Sequence, residues 1–266
     1  MLDSPGNAPS GNNARLDVVA ALRQAQVRKA HHYIKVAPLI LFRKNYAMEP
    51  STLRRWRNRL PHWEIENGTY FITLRCAGSL PGPVRKKIKE LQTSLDEIEA
   101  NDPEFQQLQR QIFLTAEKYL DSGQGFAPFK SAECCRVLAD CMERLDAGWP
   151  IIDWVIMPNH IHCIAVDDEA TLSLGESMKR FKGRTARTCN LALGRRGSFW
   201  QRDWFDRWVR SENELDKVRK YIAQNPVKAK FANRPEDYEW WSGSFRSGVL
   251  QPPYRSLGQR SEREQR

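Results

Sequence analysis

The stretch "IIDWVIMPNHIHCIAVDD" (residues 151–168) consists of two apolar runs separated by Pro158-Asn159. β-Branched residues recur in both runs, and a Pro-Asn pair is typical of a turn. The stretch therefore predicts two adjacent strands, 151–157 and 160–168, and the rest of the fold can be read outward from them.

Signals on both sides extend these strands to an α+β pattern. Upstream, "GTYFITLRC" (68–76) predicts a strand, and two helices follow at about 83–121, the second capped by Asp102. The other predicted elements are a helix at 131–147, a basic helix at about 172–193, short strands at "SFWQ" and "FDRWV", and a helix opened by the capping box Ser211-x-x-Glu214.

The predicted core elements follow the order strand, helix, strand, strand, helix, strand, helix. This is the split βαβ order of a ferredoxin-like α+β sandwich. The predicted fold is thus an antiparallel sheet with helices on one face and a helical hairpin inserted at 83–121. We predict three regions: an irregular or disordered basic arm (1–49), one domain (50–245) and a C-terminal tail (246–266). The segment 14–60 reads as basic and irregular, and the inserted helices are not expected to touch the functional motifs.

The second strand of the central pair opens with His160 and His162, two of only five histidines in the chain. Alternate residues of a strand project from one face, so the imidazoles are expected side by side. Two such imidazoles can share a divalent cation. An isolated His-x-His triplet is more often a hydrogen-bonded pair at the start of a strand, so the rest of the chain has to decide.

The helix "NELDKVRKYIAQN" places Tyr221 at the edge of its apolar stripe and Asn225 one turn later on the same face. A phenol is a poor nucleophile near neutral pH unless a metal polarises its target. The Asn225 carbonyl oxygen could complete a ligand set with the histidines, although Pro226 could kink or end the helix and present Gln224 instead. Tyr221 alone could also be a half-buried aromatic residue.

The chain carries a formal net charge of +10, which favours a polyanionic partner such as nucleic acid. Two basic stretches are candidates for DNA binding, although either could be a solvated charged face. They comprise Lys179, Arg180, Lys182, Arg184 and Arg187 in the long helix, and Arg54, Arg55, Trp56 and Arg57 near the start of the domain.

The apolar runs are too short to cross a membrane, and the N-terminus lacks the pattern of a signal peptide. The six cysteines form no CxxC pair and are interpreted as small apolar residues of a reducing compartment. A cytoplasmic, nucleoid-associated protein is therefore expected.

Taken in order, four motifs resemble those of the single-tyrosine HUH transposases of insertion sequences, and more narrowly the REP-associated tyrosine transposases. The similarity covers about residues 50–245. Its motifs are the His-x-His on a central strand, "FKGRTAR", "FWQRDWFDRWV" and "YIAQNPVKA".

The resemblance implies a metal-dependent enzyme that cuts and rejoins single-stranded or hairpin DNA. His160, His162 and Asn225 would bind Mg²⁺ or Mn²⁺, and Tyr221 would attack the scissile phosphate and retain the 5′ end as a phosphotyrosine. It also implies that the substrate is a REP-type palindromic hairpin, whereas the choice between monomer and homodimer stays open.

Two other functions remain compatible with the sequence. A domesticated DNA-hairpin-binding regulator would keep the fold without turnover. A replication-initiation or relaxase-type HUH enzyme would nick an origin, but the short chain and the absence of a helicase motif argue against it.

Overall fold

A computed structural model describes residues 51–57, 60–99, 102–143 and 148–247. The predicted arm (1–49) lies outside these residues, as does all but the beginning of the predicted tail (246–266).

Two sheets are formed by the described strands: a four-stranded antiparallel sheet and a separate two-stranded one. In chain order the strands are β1 (Thr52–Arg57), β2 (Pro61–Ile65), β3 (Thr69–Arg75), β4 (Ile151–Met157), β5 (His160–Val166) and β6 (Phe205–Trp208). The larger sheet has the order β4-β5-β3-β6, and β1 pairs with β2.

The helices lie largely where the sequence predicts them. They are α1 (Gly82–Asp96), α2 (Pro103–Leu120), α3 (Ala132–Glu143), α4 (Leu174–Ala192), α5 (Glu212–Lys228) and α6 (Ser242–Ser247), with short 3-10 helices at Pro128–Lys130 and Pro235–Asp237. None of these helices has the length and apolar character needed to span a membrane.

This topology confirms the predicted fold class. Helix α3 links β3 to β4, α4 links β5 to β6, and β5 inserts antiparallel between β3 and β4, which is the split βαβ arrangement. Because β5 pairs with β4 on one side and with β3 on the other, both neighbouring strands fix the backbone at its start.

Apolar clusters cover both faces of the sheet. Helices α3 and α4 pack on one face, through residues such as Leu138 and Phe181. Helix α5 packs on the other face through Leu215 and Ile222, with Phe113 of α2 at its margin. The expectation of helices on one face therefore holds for α3 and α4, whereas α5, with Phe113 of α2, packs on the opposite face.

Local sequence signals explain several element boundaries. The Asp102 side chain accepts a hydrogen bond of 2.8 Å from the Glu104 amide, which caps α2 as predicted. Ser211 caps α5 in the same way. Helix α5 continues past Pro226 and ends at Lys228, so the proline precedes the end of the helix by two residues.

Two expectations differ from the structure. Strand β1 lies within a segment that was expected to be irregular. It forms because its backbone pairs with β2, and the periodicity of a single segment does not reveal such a partner. The expected strand at "SFWQ" reduces to a single bridge between Trp200 and Cys76.

His62 connects β2 to the larger sheet through two buried carboxylates. Its Nε2 lies 2.9 Å from Asp203 Oδ1, and its Nδ1 contacts Asp206 Oδ1. Both ring nitrogens face acceptors, so both carry hydrogen and the ring is an imidazolium. Burial by itself would lower the pKa of His62, but the hydrogen bonds and charges of the two carboxylates outweigh it and raise the pKa to about 9.

The free energy of unfolding is expected to fall as the pH rises from 6.5 towards 9. The folded-state pKa of His62 lies above its unfolded value, so the added stability is complete below 6.5 and is lost as the pH rises through 9. The loss amounts to about 3 kcal/mol. Urea denaturation across this range should show that the free energy of unfolding falls with pH in the native chain and changes much less in His62→Gln. An equal dependence on pH in both proteins would contradict the assignment.

Candidate active site

His160 and His162 occupy the start of β5 and project from the same face of the sheet. Both are fully buried, and their Nε2 atoms lie 3.1 Å apart. The register of the sheet places Thr73 of β3 opposite His162, and the Thr73 Oγ1 lies 2.8 Å from His162 Nδ1. The strand pairing therefore orients the ring of His162 as well as its backbone.

The hydrogen-bond partners of His160 determine its tautomer. Asn159 Nδ2 donates to the Gln124 carbonyl oxygen, which turns the Asn159 Oδ1 towards His160 Nδ1 at 2.8 Å. The His160 Nδ1 therefore carries the hydrogen, and its Nε2 presents a lone pair. Burial, helped by the neighbouring imidazole, lowers the pKa of His160 to about 3, so the ring is neutral at neutral pH. A neutral imidazole with a free Nε2 is the form that binds a metal.

Glu117 of α2 is a third member of the site, and it corrects the expectation that the inserted helices at 83–121 do not touch the motifs. Its Oε2 lies 3.4 Å from His162 Nε2, and one ligand atom from each of Glu117, His160 and His162 falls within 4.8 Å of the others. The side chain is buried. The inserted pair is therefore part of the candidate site.

A weak signal for Glu117 exists in the sequence. It follows Phe113 by one helical turn and lies beside Ala116 and Leu120, so it falls on the apolar stripe of α2. A carboxylate is rarely buried in such a stripe unless it is paired. Its partners, however, lie far away in the sequence and could be named only from the tertiary structure.

Tyr221 comes from α5 and completes a contact chain to the histidines. Its hydroxyl donates to Glu117 Oε2, and its ring centroid lies 5.3 Å from that of His162 and 5.7 Å from that of Phe71. Burial, followed by the charge of Glu117, raises the pKa of Tyr221. The residue is therefore a neutral phenol whose hydrogen points at a carboxylate.

Glu117 is itself charged at neutral pH. Burial favours the neutral acid, but interactions with His162, His160 and Tyr221 outweigh it and lower the pKa of Glu117 to about 2. The carboxylate is consequently able to accept the hydrogen of Tyr221 and to face a cation.

Asn225 lies one turn after Tyr221 on the buried side of α5. The side chain is 1% exposed, and neither of its amide atoms has a hydrogen-bond partner of good geometry among the described residues. Burying an amide without hydrogen-bond partners lowers the stability of the fold, so an additional partner for Asn225 is expected. Gln224, the alternative ligand, is exposed to solvent.

The spacing of the donor atoms fits a divalent cation. Adjacent ligands of an octahedral ion, each about 2.1 Å from it, are separated by roughly 3.0 Å. The separations of 3.1 Å between the two imidazole nitrogens and 3.4 Å from His162 to Glu117 are close to that value. Imidazole nitrogens and carboxylate oxygens are common ligands of divalent metal ions, so Glu117, His160 and His162 could hold one.

The predicted DNA-binding residues of α4 lie away from this site. Helix α4 packs on the opposite face of the sheet, and its exposed basic side chains are Lys179, Arg180, Arg184 and Arg187. Lys182 is only partly exposed, because its ammonium donates to the carbonyl oxygens of Gln201 and Arg202 at 2.7 Å each. Burial lowers the pKa of Lys182 to about 8.

Strand β1 carries the second predicted patch. Arg54 is exposed on it, and the side chains of Arg55, Trp56 and Arg57 lie outside the described part of the chain.

Comparison with known proteins gives a family match for the central region. Residues 132–225 match the family model described as "Transposase IS200 like", a span that contains both histidines, Tyr221 and, as its last residue, Asn225. Over these residues the match agrees with the insertion-sequence transposase family predicted from the ordered motifs. Glu117 and the inserted helices lie outside the matched span.

One solved structure that resembles the chain is that of a REP-associated tyrosine transposase bound to a REP hairpin. It is 16% identical, with 76% of this chain and 88% of that chain covered, and the TM-score is 0.38. No curated protein matches the chain.

Proposed function

We propose that this chain, an IS200-like transposase over residues 132–225, is a metal-dependent endonuclease and strand transferase acting on single-stranded DNA beside a hairpin. The observation that carries the proposal is the convergence of a buried histidine pair, a carboxylate and a tyrosine hydroxyl within one chain. The hairpin substrate, of the REP type, follows from the resemblance of the ordered motifs.

The reaction is a transesterification at phosphorus. The Oη of Tyr221 forms a bond to the scissile phosphorus while the bond from phosphorus to O3′ breaks, so the 5′ end stays on the tyrosine. The phenol hydrogen is taken first by the Glu117 carboxylate and ends on the leaving O3′. A new 3′-OH reverses these steps and joins strands without an external energy source, because the phosphotyrosine conserves the bond energy.

His160 and His162 would hold the cation, Mg²⁺ or Mn²⁺. Asn225 is proposed to complete the set, and Glu117 is a second candidate for that position. When bound, the cation neutralises charge on the phosphate. Positioning and charge neutralisation matter more in phosphoryl transfer than a strong base.

Exchange of Glu117 for Gln is expected to reduce adduct formation by about 10²-fold, because the hydrogen acceptor for Tyr221 loses its charge. The amide is nearly the same size, so folding should change little. Rates of covalent adduct formation on a labelled hairpin should be compared with those of Glu104→Gln, an exposed residue of the same helix. Unchanged rates in Glu117→Gln would exclude Glu117 from the chemistry.

The function itself is tested with a labelled single-stranded oligonucleotide that contains a hairpin. Covalent protein–DNA adducts should accumulate with Mg²⁺ or Mn²⁺ and be absent with a chelator. Tight hairpin binding without any adduct across a series of metals would instead support the alternative, a non-catalytic DNA-hairpin-binding regulator.

A further inference from the structure

A cleft separates the inserted helices from the edge of the larger sheet. Its volume is about 600 Å³, and its walls come from α1, α2 and the strands β3 and β6. Pockets that bury a small ligand have volumes of about 300–1,000 Å³. The cleft therefore has room for a nucleotide or two, but not for a duplex.

The floor of the cleft belongs to the candidate active site. Thr73 and Glu117 both line the cleft. Thr73 contacts one nitrogen of His162, and Glu117 contacts the other as well as the hydroxyl of Tyr221. A chain lying in the cleft would thus pass directly beside the proposed nucleophile.

The rim contributed by α1 is basic. Arg85, Lys86 and Lys89 line the cleft and are exposed, and none of the three forms an ion pair within the described ranges. Helical spacing places Arg85 and Lys89 one turn apart on the same side of α1. These side chains present a short row of cations to a ligand that enters the cleft.

The acidic groups of the cleft leave this row largely uncompensated. Two of its carboxylates already have partners, since Asp203 pairs with His62 and Glu117 with His162. Asp96 lies near the end of α1, two turns beyond Lys89. The cleft therefore favours an anionic chain.

Aromatic side chains line the inner wall. Phe113 and Phe205 are partly exposed, and their ring centroids lie 4.6 Å apart. Cations along a groove together with aromatic rings are the combination with which proteins bind single-stranded nucleic acids, because each base offers a face for stacking.

We propose that this cleft binds the single-stranded DNA that flanks the scissile phosphate. Backbone phosphates contact Arg85, Lys86 and Lys89, and a base packs against Phe113 and Phe205. The inference rests on the proposed function and extends it, because it assigns to the inserted helices the task of guiding the strand to Tyr221.

The test compares two triple variants of the full chain. R85A/K86A/K89A removes the three cations of the rim. K87A/R110A/K118A removes three exposed cations of α1 and α2 whose side chains do not line the cleft, so the change in net charge is identical. All six positions are exposed, and equal thermal stability of the two variants verifies folding.

Binding is measured with chelator present, on a hairpin carrying single-stranded tails and on the same hairpin without tails. The rim variant should bind the tailed hairpin about tenfold more weakly, with a salt dependence of log K reduced by about 2. Its affinity for the tail-less hairpin, and the control variant's affinity for both, should change little.

Equal losses in both variants, or equal losses on both DNAs, would overturn the proposal. Because binding is read without turnover, it is independent of the chemistry. If the wild-type chain forms no adduct but the rim variant still loses affinity only for the tailed hairpin, the proposed function is refuted. The proposed binding of DNA in the cleft then still stands.

Discussion

Tyr221→Phe is expected to lower covalent adduct formation to background, a decrease of about 10⁴-fold or more, because the substitution removes the attacking oxygen. The ring contacts with His162 and Phe71 are kept, so the fold should persist despite the lost hydrogen bond to Glu117. Adducts are counted on denaturing gels with a labelled hairpin oligonucleotide and Mn²⁺.

A matched control for this variant is Tyr119→Phe. Tyr119 is 39% exposed on α2, two residues from Glu117 in sequence, and its hydroxyl is not part of the site. It should form adducts at the native rate. Adducts that survive in Tyr221→Phe would show that another group is the nucleophile.

His160→Ala is expected to reduce cleavage by about 10³-fold while DNA binding stays within about twofold of the native value. The variant removes an Nε2 that is neutral and oriented by Asn159, the form needed for a metal ligand. Binding should be retained because the exposed cations of α4 lie on the other face of the sheet.

The measurement pairs gel-based cleavage across controlled Mn²⁺ concentrations with hairpin binding in chelator. Circular dichroism confirms folding, since removing a buried ring costs stability. Full cleavage by the variant at low free metal would contradict the ligand role. Loss of cleavage and binding together would indicate a general structural defect instead.

Much of the fold was predictable because its signals are local. The Pro158-Asn159 turn, the Asp102 cap and the Ser211 capping box each specify a boundary from a few neighbouring residues. The order of those elements then limits the topology to a small set.

The candidate site was predictable only in part. His160 and His162 are two positions apart on a strand, and Tyr221 and Asn225 are one helical turn apart, so periodicity pairs them within each element. Glu117 was missed because its contact with Tyr221 spans 104 positions. Such contacts depend on how α2 packs on the sheet, which local patterns do not encode.

The central claim is that Tyr221 attacks a phosphate held by a metal ion at the histidine pair. It is tested most directly by digesting the covalent adduct with trypsin and locating the nucleotide by mass spectrometry. The account predicts the added mass on the peptide "YIAQNPVK" (221–228), formed only with Mg²⁺ or Mn²⁺. Added mass on a peptide without Tyr221, or adducts formed equally in chelator, would contradict it.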